Sequence, residues 1–272
     1  MEIKYFMPLW GNEHFSLPDF FKKIKDSGYD GVEMTIPYDK KYADNLKDLL
    51  DRKNLLLIAQ QSLLFSNERI DEYIEQMQKY LTYLASFNPL FINSHTGKDF
   101  FSFEDNCRII KAAEMISVDT GINIYHETHR GRCLYSAPMA KLYFKEFPEL
   151  KLSADFSHWC CVSESLLEGQ DDLMDEAIKR TKYIHARVGH SQGPQVNHPF
   201  APENREAMEK HTGWWQKIVD HQKTLGTKMF PVATEFGPRP YMQTLPFTNH
   251  EVADLYNINS EMKTYLINSL KT

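Results

Sequence analysis

The stretch Lys151-Leu-Ser-Ala-Asp155-Phe-Ser-His158 runs as a short alternating strand into an acid and then, three residues on, into an imidazole. A strand that finishes this way presents two groups at its carboxyl end that bind metals or move protons. Three further segments end alike: Ile122-Asn-Ile-Tyr-His-Glu127, Tyr183-Ile-His185-Ala-Arg187 and Phe230-Pro-Val-Ala-Thr-Glu235. Side chains alternate along a strand, so residues two apart share a face. Ile122 and Ile124 oppose Tyr125 and Glu127; Leu152 and Ala154 oppose Ser153 and Asp155; Ile184, Ala186 and Val188 oppose Tyr183, His185 and Arg187. In the last segment Val232 and Thr234 oppose Ala233 and Glu235, a less clean division. The aliphatic faces belong beneath helices, which turns Glu127, Asp155, His185 and Glu235 together toward the opposite side.

The same alternation extends upstream. Apolar runs over 3–10, 32–36, 55–63 and 90–95 read as strands. Each precedes a helical stretch: one capped by Ser16 and running to about 25, then 40–52, 67–87 and 103–120, the last closed by Gly121. Helices near 137–147, 173–181, 203–225 and 251–270 follow the four later strands. Eight strand signals alternating with eight helix signals, without a break in composition, predict an α/β fold. It is a (β/α)8 TIM barrel, a single domain over 1–272 with its active site at the carboxyl ends of the strands. At 272 residues each of eight units averages 34; Glu127 and Asp155 are 28 apart and Asp155 and His185 are 30 apart, about one unit each. His185 and Glu235 are 50 apart, one unit with an enlarged loop over 191–202. A doubly wound open sheet is the alternative, but no G-x-G-x-x-G follows the first strand.

Hydrophobic content of 42% and charged content of 25% suit a folded globular chain. The net charge of -6 and the lack of a basic block argue against a nucleic-acid partner. No apolar run approaches the roughly 20 residues of a membrane span. Cys107, Cys133, Cys160 and Cys161 form no C-x-x-C pair, and the opening Met-Glu-Ile-Lys lacks the apolar core of a signal peptide. Reduced thiols and a cytoplasmic location are expected.

Three carboxylates gathered in one barrel mouth repel one another, and some stay protonated unless a cation compensates them. Three oxygen ligands and one imidazole suit a fairly hard divalent ion: Mn²⁺, Mg²⁺ or Co²⁺, with Zn²⁺ also compatible. The plainer readings are an ion pair of Glu127 or Glu235 with Arg130 or Arg239, a cap or turn role for Asp155, and a hydrogen-bonded core position for His185. Glu33, His95, His129 and His190 also fall at strand ends, while His126 has the outward parity and is expected beneath the helices. Trp10 and Trp159 are candidates for the pocket wall. Of Trp214-Trp215, on one helix, one ring is expected to face outward as an oligomer contact, and Cys160 is expected to be a buried, inert thiol.

Taken in order and spacing, these pieces resemble the xylose isomerase-like barrel superfamily, the sugar and sugar-phosphate isomerases and epimerases that include ketose 3-epimerases and hydroxypyruvate isomerases. The resemblance spans nearly the whole chain. It is carried by Gly28-Tyr-Asp-Gly-Val-Glu33, His126-Glu127-Thr-His129, Asp155-Phe-Ser-His158, His185-Ala-Arg187 and Glu235-Phe-Gly237. It implies that Glu127, Asp155, His185 and Glu235 bind one divalent metal ion and that the two glutamates also move protons. It further implies that His158 and an arginine hold substrate oxygens; Arg187 is that candidate, nearer to His185 than the arginine of those relatives. His95, His190 and Trp10 are the remaining candidates for substrate contact.

A 2-hydroxy ketone held through carbonyl and hydroxyl would lose its α-proton to a carboxylate, and reprotonation of the enediolate would give isomerisation or epimerisation. The substrate expected is a sugar, sugar acid or related polyol ketone. A lyase dehydrating an inosose or a dehydroshikimate-type ring is the nearest rival. An endonuclease IV-like phosphodiester hydrolase needs added histidines from strands two and three, which end here near Glu33 and Gln60-Gln61. A non-catalytic sugar binder would not need two acids beside a metal. Relatives of this kind often form dimers or tetramers, which leaves a homo-oligomer open beside a monomer.

Overall fold

Each apolar strand run pairs in parallel with its chain neighbour, and the last returns to the first. In the computed structural model, which describes residues 1–64 and 69–272, the strands are β1 (Glu2–Pro8), β2 (Gly31–Met34), β3 (Leu56–Gln61), β4 (Ile92–Ser94), β5 (Ile124–Glu127), β6 (Leu152–Ala154), β7 (Thr181–Ala186) and β8 (Met229–Thr234). They close a barrel in sequence order, β8 lying beside β1 with Ala233 opposite Phe6. The helices are α1 (Leu17–Asp26), α2 (Lys40–Lys53), α3 (Ile70–Ala85), α4 (Phe103–Thr120), α5 (Ala137–Glu146), α6 (Phe156–Val162), α7 (Asp171–Arg180), α8 (Arg205–Thr224) and α9 (Leu255–Ser269).

Caps set several of these starts. Ser16, Ser102 and Ser136 each accept a first-turn backbone N–H, and Gly121, at φ 72°, ends α4 in the left-handed conformation that glycine adopts without penalty. The start of the third helix expected at Asn67 lies outside the described residues.

Strand parity divides the molecule into two cores. Val32, Met34, Leu57, Ala59, Ile92, Ile124, Leu152, Ala154, Ile184 and Val232 face outward into the main core beneath the helices. Phe6, Ile58, Phe91, Tyr183 and Ala233, with Leu56, Leu90 and Tyr125 against them, fill the barrel interior as a separate cluster. Filling is tight: a Cβ on Gly31 would stand 2.3 Å from the Leu56 carbonyl oxygen and 2.5 Å from the Phe6 ring, so the barrel closes there only around a residue without a side chain.

Several sequence expectations need correction. Helix α6 was not anticipated; it begins directly after β6 because the Asp155 side chain caps it, accepting from the Ser157 N–H at 3.1 Å. That helix also changes the fate of Trp214 and Trp215, which are both buried. Trp214 packs edge-on to Phe156 of α6, so neither ring is left as an outward contact. Trp159 does not wall a pocket; it is fully buried and donates its indole N–H to the Leu134 carbonyl at 2.8 Å. The last helix starts at Leu255 rather than 251, where Asp254 caps it. His126 and Cys160 are buried as expected, and burial pushes the Cys133 thiol up to about 12. Among the described residues no helix is long and apolar enough to cross a membrane.

His211, on α8, ties that helix to the segment leaving β7. Its Nδ1–H donates to the Ala207 carbonyl at 2.9 Å, and its Nε2 accepts from the Gly189 N–H at 3.3 Å. Both nitrogens are thereby used by the neutral ring, and protonation would set an N–H against an N–H. Burial lowers its pKa to about 4. Since the unfolded chain binds this proton near the usual 6.5 and the folded chain does not, stability should fall as pH drops from about 6.5 to about 4, by about 3 kcal/mol for this residue. Urea unfolding across that window should show the slope, and His211→Phe should lose one proton's share of it.

Candidate active site

Inward-facing positions change character over the last turn of the barrel. Two residues beyond the apolar plug, Phe91 is followed by Asn93, Tyr125 by Glu127, Tyr183 by His185 and Ala233 by Glu235; Glu33 follows Gly31 and Asp155 follows Ser153. The mouth is therefore polar while the floor beneath it is aromatic.

The carboxylates are bound to one another through shared donors. The Asn93 amide donates to Glu33 Oε1 at 2.9 Å and to Glu127 Oε2 at 2.7 Å. Glu33 Oε2 accepts the Tyr183 hydroxyl at 2.8 Å and stands 2.8 Å from His185 Nε2. Arg187 Nε donates to Asp155 Oδ2 at 3.1 Å and its Nη2 donates to Glu235 Oε1. The guanidinium is flanked by two rings, 4.5 Å from the centre of Tyr241 and 5.4 Å from that of Trp10. Trp10 reaches this position because residue 237 is glycine; a Cβ there would lie 2.3 Å from the indole.

Other contacts are close without being hydrogen bonds. His185 Nδ1 and Glu235 Oε2 stand 2.5 Å apart and His95 Nε2 and Glu127 Oε2 stand 2.8 Å apart, yet His185 Nδ1, Glu235 Oε2 and His95 Nε2 have no aligned partner. Donor atoms of Glu127, Asp155 and His185 lie within 4.8 Å of one another. Polar atoms that converge with no hydrogen bond aligned between them fit a divalent cation, as does a donor set of carboxylate oxygens with one imidazole. His158 is fully buried with both ring nitrogens unpartnered; its Nε2 lies 3.6 Å from Asp155 Oδ2 and its ring stacks 3.8 Å from that of His129.

Electrostatics follow from this crowding. Burial pushes the Asp155 carboxyl up to about 7 even though Arg187 pulls the other way. Burial also opposes the charged forms of Glu127 and His185. For Glu127 the neighbouring His95 and His185 prevail and hold it well below the usual carboxylate range. For His185 the carboxylates Glu235, Glu33 and Glu127 prevail and hold the ring well above the usual imidazole range. Burial, with His129 and Arg187 nearby, keeps His158 neutral.

A cavity of about 470 Å³ opens above this cluster, lined in part by Trp10, Glu33, His95, Glu127, Arg187 and Glu235. Of the residues singled out from the sequence, Glu127, Asp155 and His185 come together, and Glu235 joins them through His185 and Arg187. Trp10, His95 and Arg187 are on the cavity wall, while His158 sits one layer down, against His129. His190 lies off the wall, its backbone paired with Gly193 and its Nδ1 accepting from the Gln192 N–H. Asp155 is a helix cap with one oxygen and a member of the cluster with the other. The arginine paired with Glu235 is Arg187, not Arg239, which meets exposed Glu251 at 3.6 Å, nor Arg130, which lies over Tyr241. Asn93 and Tyr183 are not assigned to the site from the sequence, whereas Glu33 is read there at a strand end without a given role, and its parity between outward Val32 and Met34 turns it inward. Tyr241 comes from a segment after β8 that has no periodicity to read.

A family model described as xylose isomerase-like TIM barrel matches residues 21–205. No curated protein matches the chain in sequence. Among solved structures, D-psicose 3-epimerase of Clostridium cellulolyticum H10, determined with D-tagatose, superposes with a TM-score of 0.67 at 12% identity, covering 99% of this chain and 100% of that one. The probable 3-DHS dehydratase of Bacillus anthracis superposes at 0.63 with 16% identity, covering 97% and 98%. A xylose isomerase-like TIM barrel protein of Mycobacterium smegmatis in complex with magnesium superposes at 0.64 with 10% identity, covering 93% and 87%. At these identities the likeness is one of fold.

The Asn93 amide holds Glu33 and Glu127 apart in charge while joining them in space. Asn93→Asp would replace that donor with a third carboxylate, so a loss of about 2–4 kcal/mol is expected in urea unfolding at pH 7. The deficit should shrink as the pH is lowered and carboxyls take up protons; a variant as stable as the parent at pH 7 would contradict the network.

Proposed function

The chain belongs to the xylose isomerase-like TIM barrel family, and from that premise we propose that it is a divalent-metal-dependent isomerase or epimerase of a sugar, sugar acid or related polyol ketone. The observation that carries this reading is the convergence of Glu127, Asp155, His185 and Glu235 at the barrel mouth, with His185 Nδ1 and Glu235 Oε2 unpartnered. Those four residues would hold one cation, Mn²⁺, Mg²⁺, Co²⁺ or Zn²⁺. When bound, such an ion withdraws charge from a hydroxy ketone and makes its α-hydrogen more acidic.

The side chains themselves supply the proton movements. Glu127 has Oε2 fixed by Asn93, and Glu235 has Oε1 fixed by Arg187, so each carboxylate is oriented by one oxygen. They rise from β5 and β8, three strands apart around the ring, and both border the cavity, which lets them address a substrate from two sides. In this reading one takes the α-proton and the other returns it, at the neighbouring carbon for isomerisation or on the opposite face for epimerisation. Arg187, fixed between Trp10 and Tyr241, meets substrate oxygens at the wall, with His95 and Trp10 beside it. His158, expected from the sequence to hold substrate oxygens, is buried behind His129 with its Nε2 3.6 Å from Asp155 Oδ2, one layer below the wall.

A dehydratase using the same cluster would show loss of water in the product, whereas an isomerase or epimerase keeps the mass unchanged. Elemental analysis of the purified protein should find about one divalent ion per chain. Ketoses and sugar acids in heavy water should take up deuterium at the α-carbon. Glu127→Gln and Glu235→Gln should each lower that exchange by 10²-fold or more while the circular dichroism spectrum is kept. Full exchange in Glu235→Gln would overturn the assignment of the pair.

A further inference from the structure

Two arginines line the cavity, and their surroundings differ. Arg187 is paired with Asp155 and Glu235. Arg132, on the segment after β5, is 7% exposed and lines the same cavity, yet no carboxylate of the described residues lies within ion-pair distance of its guanidinium. Its Nη1 is buried without a hydrogen-bond partner, and its Nη2 reaches only His95 Nδ1, at 3.5 Å. Taking a guanidinium out of water without an anion is costly, and such a charge persists where a partner arrives with the ligand.

Its placement is imposed by backbone rather than by charge pairing. The Arg132 N–H donates to the His129 carbonyl at 3.2 Å, and the next residue, Cys133, donates to the Thr96 carbonyl at 3.1 Å, pinning the segment to the loop after β4. That loop adds a second cation: burial and the Arg132 charge together hold the Lys98 ammonium below the usual lysine range. Arg132 stands at the wall of a cavity that also carries Glu33, Glu127 and Glu235, in a chain of net charge -6, with the Lys98 charge acting on it from the neighbouring loop. With Arg187 already paired to Asp155 and Glu235, Arg132 is the wall cation left to offset the repulsion an acidic substrate would meet there. His95 bridges the two regions, one ring nitrogen facing Arg132 and the other 2.8 Å from Glu127, so the guanidinium is one imidazole away from a proposed proton carrier.

We propose that Arg132 is the anion-binding residue of this cavity and that the substrate is an acidic sugar derivative, its carboxylate or phosphate received by the Arg132 guanidinium. The proposal rests on the reading of the cavity as a sugar site, but not on the metal. Arginine offers the planar fork that both oxyanions accept.

Calorimetric titration tests it in two arms. Chelated protein is titrated with acetate and with inorganic phosphate at matched ionic strength. Metal-loaded protein is titrated with three ketones of equal chain length: neutral dihydroxyacetone, hydroxypyruvate and dihydroxyacetone phosphate. At least one simple anion is expected to bind the chelated protein, and the matching anionic ketone should bind at least tenfold more tightly than dihydroxyacetone. Whichever anion prevails identifies carboxylate or phosphate as the group received. Arg132→Gln should abolish the preference while leaving dihydroxyacetone affinity unchanged, and Arg132→Lys should keep most of it; unfolding midpoints establish that both variants fold. Equal affinity for all three ketones, no binding of either simple anion, or a preference that survives in Arg132→Gln would overturn the proposal. An anion preference without deuterium exchange on any ketone would instead sink the isomerase reading and leave the subsite standing.

Discussion

Four carboxylates, Glu33, Glu127, Asp155 and Glu235, point into one ring of parallel strands, and the arrangement of the mouth follows from having to keep them there. Each is at most 6% exposed, so water compensates little of their charge. The chain answers with donors shared between acids, Asn93 for Glu33 and Glu127 and Arg187 for Asp155 and Glu235, and with the His185 ring set close between Glu33 and Glu235. One permanent cation is too few for four anions. Protons answer the excess negative charge, with a histidine held well above its usual range and a carboxyl pushed up to about 7, and those are the protons a divalent ion would displace.

The floor makes this possible. Phe6, Ile58, Phe91, Tyr125 and Tyr183 fill the barrel below the acids and exclude water from beneath, and Tyr183 belongs to both layers, its ring in the plug and its hydroxyl on Glu33. The low-dielectric plug strengthens every charge interaction above it. It also fixes the strands, so the ends that carry the acids have little freedom to relax away from one another. Closing the ring around Gly31 and admitting Trp10 over Gly237 are two places where the lack of a Cβ decides whether that geometry forms.

Alternation made the barrel legible in the sequence: the outward aliphatic parity of β5 to β7 needs no tertiary information, and the spacing of Glu127, Asp155 and His185 repeats once per unit. What escaped was governed by contacts between elements. Helix α6 is too short for a helical period to appear; only the capping role of Asp155, weighed as an alternative to ligation, pointed to it, and the residue serves both roles with different oxygens. Trp214 and Trp215 seemed to demand an outward ring because α6, which covers Trp214 through Phe156, was missing from the count. The ion pairs of Arg187 with Asp155 and Glu235 are not legible in the sequence, since charge pairing across β6, β7 and β8 is a property of the closed ring and not of any one strand.

His95 shows how closely the two halves of the cavity are joined. Because an Arg132 N–H faces its Nδ1, that nitrogen is the acceptor, and its Nε2 stands 2.8 Å from Glu127 Oε2. An anion received at Arg132 therefore has the His95 ring between it and Glu127, one of the two proposed proton carriers. A substrate that satisfies both at once must carry its acidic group only a few atoms from the reacting carbon. A long sugar phosphate, with its charge at the far end of a six-carbon chain, would have to fold back to do so, whereas a short keto acid or a short ketose phosphate already has the required length.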